Sequence, residues 1–104
     1  MDNSRIDTLK VILQNNPLDT FAKYALGLEY VSMKKYDEAK EIFEELIVTD
    51  PNYFATYYQL GKVDEALGDD YAAKKIYEKG IFVTTSQSET HAREELQQAL
   101  DELL

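Results

Sequence analysis

The chain has 104 residues, 44% of them apolar and 30% charged, and its 20 acidic against 11 basic side chains give a formal charge of -9. That length suits one domain with a real but modest core. A surface this negative repels phosphate backbones and anionic bilayers, so neither nucleic acid nor membrane is expected as a partner.

Cysteine is absent, which excludes a disulfide framework and thiolate chemistry. The charge serves solubility, and its sharper reading is a preference for basic partners. Met1 to Arg5 opens no apolar run of signal-peptide type, and no stretch approaches membrane-spanning length. The default expectation is a cytoplasmic protein.

Asp2, Asn3 and Ser4 offer caps for a first helix whose Ile6, Leu9, Ile12 and Leu13 share one face. Asn16-Pro17 ends it, because proline disfavours the α conformation in the residue before it. The second helix, about Asp19 to Met33, is apolar on two faces: Ala22, Leu26, Gly27, Tyr30 and Met33 on one, Phe21, Tyr24, Ala25, Leu28 and Val31 on the other. A helix that buries one face shows a single stripe, so two stripes require two neighbours, or a neighbour and a ligand.

The third helix starts near Tyr36, with Asp37 and Glu38 in the first turn, where the helix dipole favours acids. Ala39, Ile42, Phe43, Leu46 and Ile47 follow the spacing of one buried face. Asp50-Pro51 closes it. The fourth, about Tyr53 to Leu67, is expected to bury Phe54, Tyr57, Leu60, Gly61 and Leu67, and it carries a more polar second stripe of Ala55, Tyr58, Lys62 and Glu65. Gly68 makes the turn. The fifth, about Tyr71 to Val83, presents Ala73, Ile76, Tyr77, Gly80 and Ile81. The last is expected to start at a capping box, Ser86 with Glu89 three residues on, and to run to the end with Leu96, Leu100 and Leu103 on one stripe. No segment alternates with period two, so the expectation is an all-α stack of six helices.

Side chains that could carry chemistry are scattered. His91 is the sole histidine and reads as a surface residue. It makes no metal-ligand spacing with Glu94 and Glu95. The acidic pairs Asp37-Glu38, Glu44-Glu45 and Asp69-Asp70 read as caps and solvated faces, and the four glycines are isolated, so no phosphate-cradling loop forms. Neither catalysis, a metal nor a cofactor is expected.

The strongest signal is internal. Residues 17–50 recur as 51–84 at a shift of 34: Pro17/Pro51, Tyr24/Tyr58, Leu26/Leu60, Gly27/Gly61, Ala39/Ala73, Lys40/Lys74, Ile42/Ile76, Glu44/Glu78 and Ile47/Ile81 are identical pairs, and Phe43/Tyr77 is a similar one. A 34-residue helix-turn-helix unit resembles the tetratricopeptide repeat. The matching positions are Leu26-Gly27, Tyr30, Ala39, Phe43 and Pro51 in the first copy, and Tyr57, Leu60-Gly61, Ala73 and Tyr77 in the second. Gly27, Gly61, Ala39 and Ala73 leave room where paired helices touch, and the aromatics fill the space beside them. Some positions depart from the pattern. Lys23 stands in place of a large aromatic, Leu46 in place of a small residue, Asp64 where Tyr30 would recur, and Thr85 in place of the last proline.

The resemblance implies antiparallel helix pairs stacked as a short right-handed superhelix. It divides the chain into a partial unit (4–16), repeat one (17–50), repeat two (51–85) and a C-terminal capping helix (86–104). It also implies that a partner protein or peptide binds in a concave groove lined by the first helix of each repeat. On this chain that places Phe21, Tyr24, Leu28 and Val31 on the groove from one copy, and Ala55, Tyr58, Lys62 and Glu65 from the other. The branch of the family that grips a carboxylate uses Lys and Asn where this chain has Tyr24 and Leu28, so no such clamp is expected. Two repeats make a short groove, with micromolar affinity or weaker. Two competing expectations stand beside this one. The C-terminal helix could fold back into the groove, or Phe21 and Tyr24 could pack on the N-terminal helix. Alternatively, the chain could be a self-associating homodimer joined through Ile6, Leu9 and Leu13 or through Leu100, Leu103 and Leu104, with no dedicated peptide groove.

Overall fold

A computed structural model describes residues 4–104. The caps expected from Asp2 and Asn3 lie outside the described residues. Six helices and no strand occur among the described residues: α1 (Ser4–Asn15), α2 (Thr20–Ser32), α3 (Tyr36–Thr49), α4 (Ala55–Ala66), α5 (Asp70–Ser86) and α6 (Thr90–Leu103). Each helix packs on the next in the chain, and α2 meets α4 and α4 meets α6 across the stack. This is the contact pattern of antiparallel hairpins laid side by side. The helix pairs form a slab of 38 × 28 × 20 Å.

The core runs through the middle of the slab. Ala39, Phe43, Tyr57, Ala73 and Tyr77 are fully buried. The two duplicated hairpins close on the same contact. A β-carbon placed on Gly27 would stand 2.4 Å from the Phe43 ring, and one on Gly61 would stand 2.1 Å from the Tyr77 ring. The missing side chain of α2 or α4 is therefore the slot that the ring from α3 or α5 fills.

Two departures from the repeat pattern are buried charged residues, each paired with a more exposed partner on another helix. Lys23 is only 7% exposed and its Nζ lies 2.6 Å from Glu45 on α3. Asp64 is 1% exposed and pairs with Lys40, joining α3 of one copy to α4 of the next. Burial pushes the Asp64 carboxyl up, against the opposing pull of Lys40. The copies also differ in matched fashion at Val31/Glu65 and Phe43/Tyr77. Glu65 accepts a hydrogen bond from the Tyr77 hydroxyl, and the first copy has an apolar residue at both places.

Three helices end on one device. The N–H of Lys35, Asp69 and Glu89 donates to the carbonyl of Tyr30, Asp64 and Thr84, respectively. The residue before each, Lys34 (φ 59), Gly68 (φ 81) and Ser88 (φ 57), is left-handed. This is the Schellman ending, which ties off orphan carbonyls at a helix C-terminus. At α5 it overturns the capping box expected at Ser86. The Ser86 hydroxyl donates back to the Phe82 carbonyl, so α5 continues through it, and Glu89 is engaged by the turn. The last helix therefore begins at Thr90. Helix α4 likewise starts two residues later than expected, because Tyr53 closes a turn on Asp50. Leu67 and Phe54, both expected in the core, sit at its edge: Leu67 is 39% exposed and Phe54 is half-buried.

The leucines proposed to join two chains are largely used within one. Ile6 and Leu100 are buried, Leu9, Leu13 and Leu103 are half-buried, and Leu104 is exposed.

Candidate peptide-binding cleft

The face formed by α2, α4 and α6 carries the candidate site. Tyr24, Tyr58 and Ala92 follow one another at steps of 34 residues, one on each of these helices. The step from tyrosine to alanine leaves a space. A cleft of about 260 Å³ opens there, lined by Tyr24, Phe54, Ala55, Tyr58 and Gln59 on one side and Ala92, Glu95 and Leu96 on the other. A smaller hollow of about 110 Å³ shares Tyr58 and Glu95 with it and adds Gln98, Ala99 and Glu102. The two lie side by side along α6.

The aromatic wall is braced from behind. The Tyr24 ring lies 6.0 Å from that of Phe43 and meets Tyr53 edge-on at 5.3 Å. Burial pushes the Tyr24 hydroxyl pKa up, with a hydrogen bond to Gln59 pulling the other way. The phenol thus stays a neutral polar group at the cleft wall. Beside it, the Lys62 ammonium rests 5.5 Å from the centre of the Tyr58 ring and 3.7 Å from Glu65. Cation over ring and cation beside carboxylate are both favourable, so Lys62 already has partners in the free chain.

Of the residues expected on the groove, the cleft brings together Tyr24 and Tyr58. Ala55, on the same expected stripe, joins them. Leu28 and Val31 are half-buried and pack against the core. Phe21 is 74% exposed, one repeat step before Ala55, and does not line the cleft. Lys62 and Glu65 flank it through Tyr58 and one another.

Sequence reasoning placed α6 at the groove only as an occupant that would fill it, and missed its part as a wall. Its Ala92, Glu95 and Leu96 form the opposite wall, and the helix borders the cleft without filling it. Continuing the 34-residue step from Tyr58 to Ala92 would have found it, because α6 occupies the place of the first helix of a further repeat. Among the described residues no group of His, Cys, Asp or Glu is arranged to hold a metal ion, and no helix is long and apolar enough to cross a membrane.

Comparison with known proteins agrees with this architecture. The tetratricopeptide repeat family model matches residues 22–53 and 54–81. The chain belongs to the tetratricopeptide repeat family, whose fold generally mediates protein–protein interaction. A TPR repeat-containing protein of Pseudomonas aeruginosa is 26% identical over 91 residues, covering 88% of this chain and 87% of that protein. The solution structure of a tetratricopeptide repeat domain protein from Salinibacter ruber is 38% identical, with a TM-score of 0.80 over 85% of this chain and 89% of that one. The TPR2B domain of yeast Sti1, solved as a complex with pHsp70, superimposes with a TM-score of 0.88 over 94% of this chain and 78% of that one. At 13% identity it shares the fold alone.

Proposed function

We propose that this chain is a non-enzymatic, cytoplasmic interaction module that docks an extended partner segment in the cleft between α2, α4 and α6. The observation that carries this reading is the unfilled space at the third step of the Tyr24–Tyr58–Ala92 row, with Tyr24 braced by Phe43 and Tyr53 and Tyr58 packed against the core along one side. Rigid aromatics bury much area at little cost in conformational freedom, which makes them good anchors for a peptide side chain. The Sti1 domain of the same fold, solved with pHsp70, supports a partner-binding reading by analogy.

The test is selection of a phage-displayed random peptide library on the intact chain, followed by NMR titration with a selected peptide. Shifts are expected at Tyr24, Tyr58 and Ala92. Tyr58→Ala should weaken binding about tenfold, the loss of one good anchor. The far-UV circular dichroism of this variant should stay unchanged. Shifts confined to the opposite face, formed by α3 and α5, would refute the cleft as the site.

A further inference from the structure

The stack leaves its cleft with two unlike walls, and the difference bears on what can lie in it. On the α2 and α4 side the lining is aromatic and neutral: Tyr24, Phe54 and Tyr58, with the Lys62 ammonium beside them held against Tyr58 and Glu65. On the α6 side Glu95 lines both the cleft and the hollow beside it, and Gln98 and Glu102 line the hollow, at spacings of three and four along one flank of the helix. The Glu95 side chain is 59% exposed, and among the described residues it is paired with His91 Nε2 at 3.9 Å, which is charged only when protonated. Glu102 is exposed on the same flank. The apolar slot and the hollow beside it are thus bordered by two carboxylates, and among the described residues no Lys or Arg forms an ion pair with either.

Resting on the reading that a partner segment enters this cleft, we propose that its occupant is a basic–apolar peptide: one apolar side chain seated between Tyr24, Tyr58 and Leu96, with flanking Lys or Arg side chains set against Glu95 and Glu102. Charge complementarity selects this occupant over others. An acidic segment would bring its carboxylates against two unneutralised ones inside a chain of net charge -9, and like charges at close range are penalised. A purely apolar segment would fill the slot and leave the α6 carboxylates unused. The selectivity lies on the helix that closes the end of the stack. The capping helix is therefore also the half of the site that reads charge.

Three synthetic eight-residue peptides test this, each with the same central Leu-Phe pair and flanked by two Lys, two Gln or two Glu. Each carries a fluorescent label and is titrated with the intact chain by anisotropy in low and physiological salt. The Lys peptide should bind about tenfold more tightly than the Glu peptide, with the Gln peptide between, since two exposed ion pairs contribute a few-fold each. The gap should narrow as salt screens it. In the double variant Glu95→Lys, Glu102→Lys, whose substituted side chains are exposed and leave the core untouched, the order should reverse. Equal affinity for all three, or an unchanged order in the double variant, overturns the proposal; if Tyr58→Ala still weakens all three peptides, the cleft reading survives that failure. No binding by any of the three overturns the charge preference and the cleft reading together.

Discussion

Adding one methyl group at Gly61 tests the packing on which the stack depends. In Gly61→Ala the new β-carbon would stand 2.1 Å from Tyr77 Cε1 and 2.5 Å from Cζ. Carbon atoms attract at about 3.5–4.0 Å, so the ring must withdraw by more than about 1 Å. It has little freedom to do so: Tyr77 is fully buried and its hydroxyl is held by Glu65. Overpacking of this kind costs about 1–3 kcal/mol, against about 1 kcal/mol gained from replacing glycine in a helix. Because the ring is pinned, the cost falls in the upper part of that range, about 2–3 kcal/mol, so the net is a loss of about 1–2 kcal/mol, or roughly 5–15 °C in Tm for a domain of this size. Gly27→Ala brings its β-carbon to 2.4 Å from Phe43 Cε1, a ring with no hydroxyl to hold it, and should cost less. Urea unfolding followed by circular dichroism measures both. Adding Tyr77→Leu to Gly61→Ala should restore part of the loss. A neutral or stabilising Gly61→Ala, or a larger loss at Gly27, would refute the slot-and-ring account.

Two further outcomes follow from the ionisable groups. Lys40→Met strands the Asp64 carboxylate, and because Lys40 is 28% exposed the loss at pH 7 should be about 2 kcal/mol, below that of a fully buried pair. Burial holds the folded-state pKa of Asp64 above the ordinary carboxylate value, so the ionised form is the disfavoured one. The deficit of Lys40→Met should shrink as pH falls toward 4 and Asp64 takes up a proton; urea midpoints that differ by the same amount at pH 7 and pH 4 would contradict this. At the alkaline end, burial pushes the Tyr24, Tyr57 and Tyr77 hydroxyls above 10.0. Groups raised in this sense stabilise fully below their unfolded value and lose that contribution as pH rises past it. The urea midpoint should therefore hold up to about pH 10 and fall beyond it, less steeply in Tyr77→Phe.

The repeat was legible because its spacing is set by backbone geometry that recurs: Gly27 and Gly61 face rings, and Ala39 and Ala73 are fully buried. The residues that break the pattern were harder to interpret. Lys23 and Asp64 look like weak positions in a single sequence, yet each is buried with a partner on another helix, Glu45 and Lys40, and no local spacing reveals that pairing. Ser86 and Glu89 satisfy the spacing of a cap, but whether a helix has already ended depends on the turn beyond it, here at Ser88. On the candidate cleft, Tyr24 and Tyr58 were readable from the surplus apolar stripe of α2 and its counterpart on α4. The α6 wall was fainter: Ala92 replaces the tyrosine that would have marked it, and only the 34-residue step leads there.

The matched elbows at Lys34 and Gly68 leave the two copies unequal in their freedom to drift. Both sit at φ near +60 to +80, which costs a side-chain-bearing residue about 1 kcal/mol and glycine almost nothing. The first hairpin already bears that penalty, so most replacements of Lys34 are close to neutral and a glycine there is a gain. Every replacement of Gly68 starts from a deficit. The two copies of the repeat thus hold one permissive hinge and one brittle one.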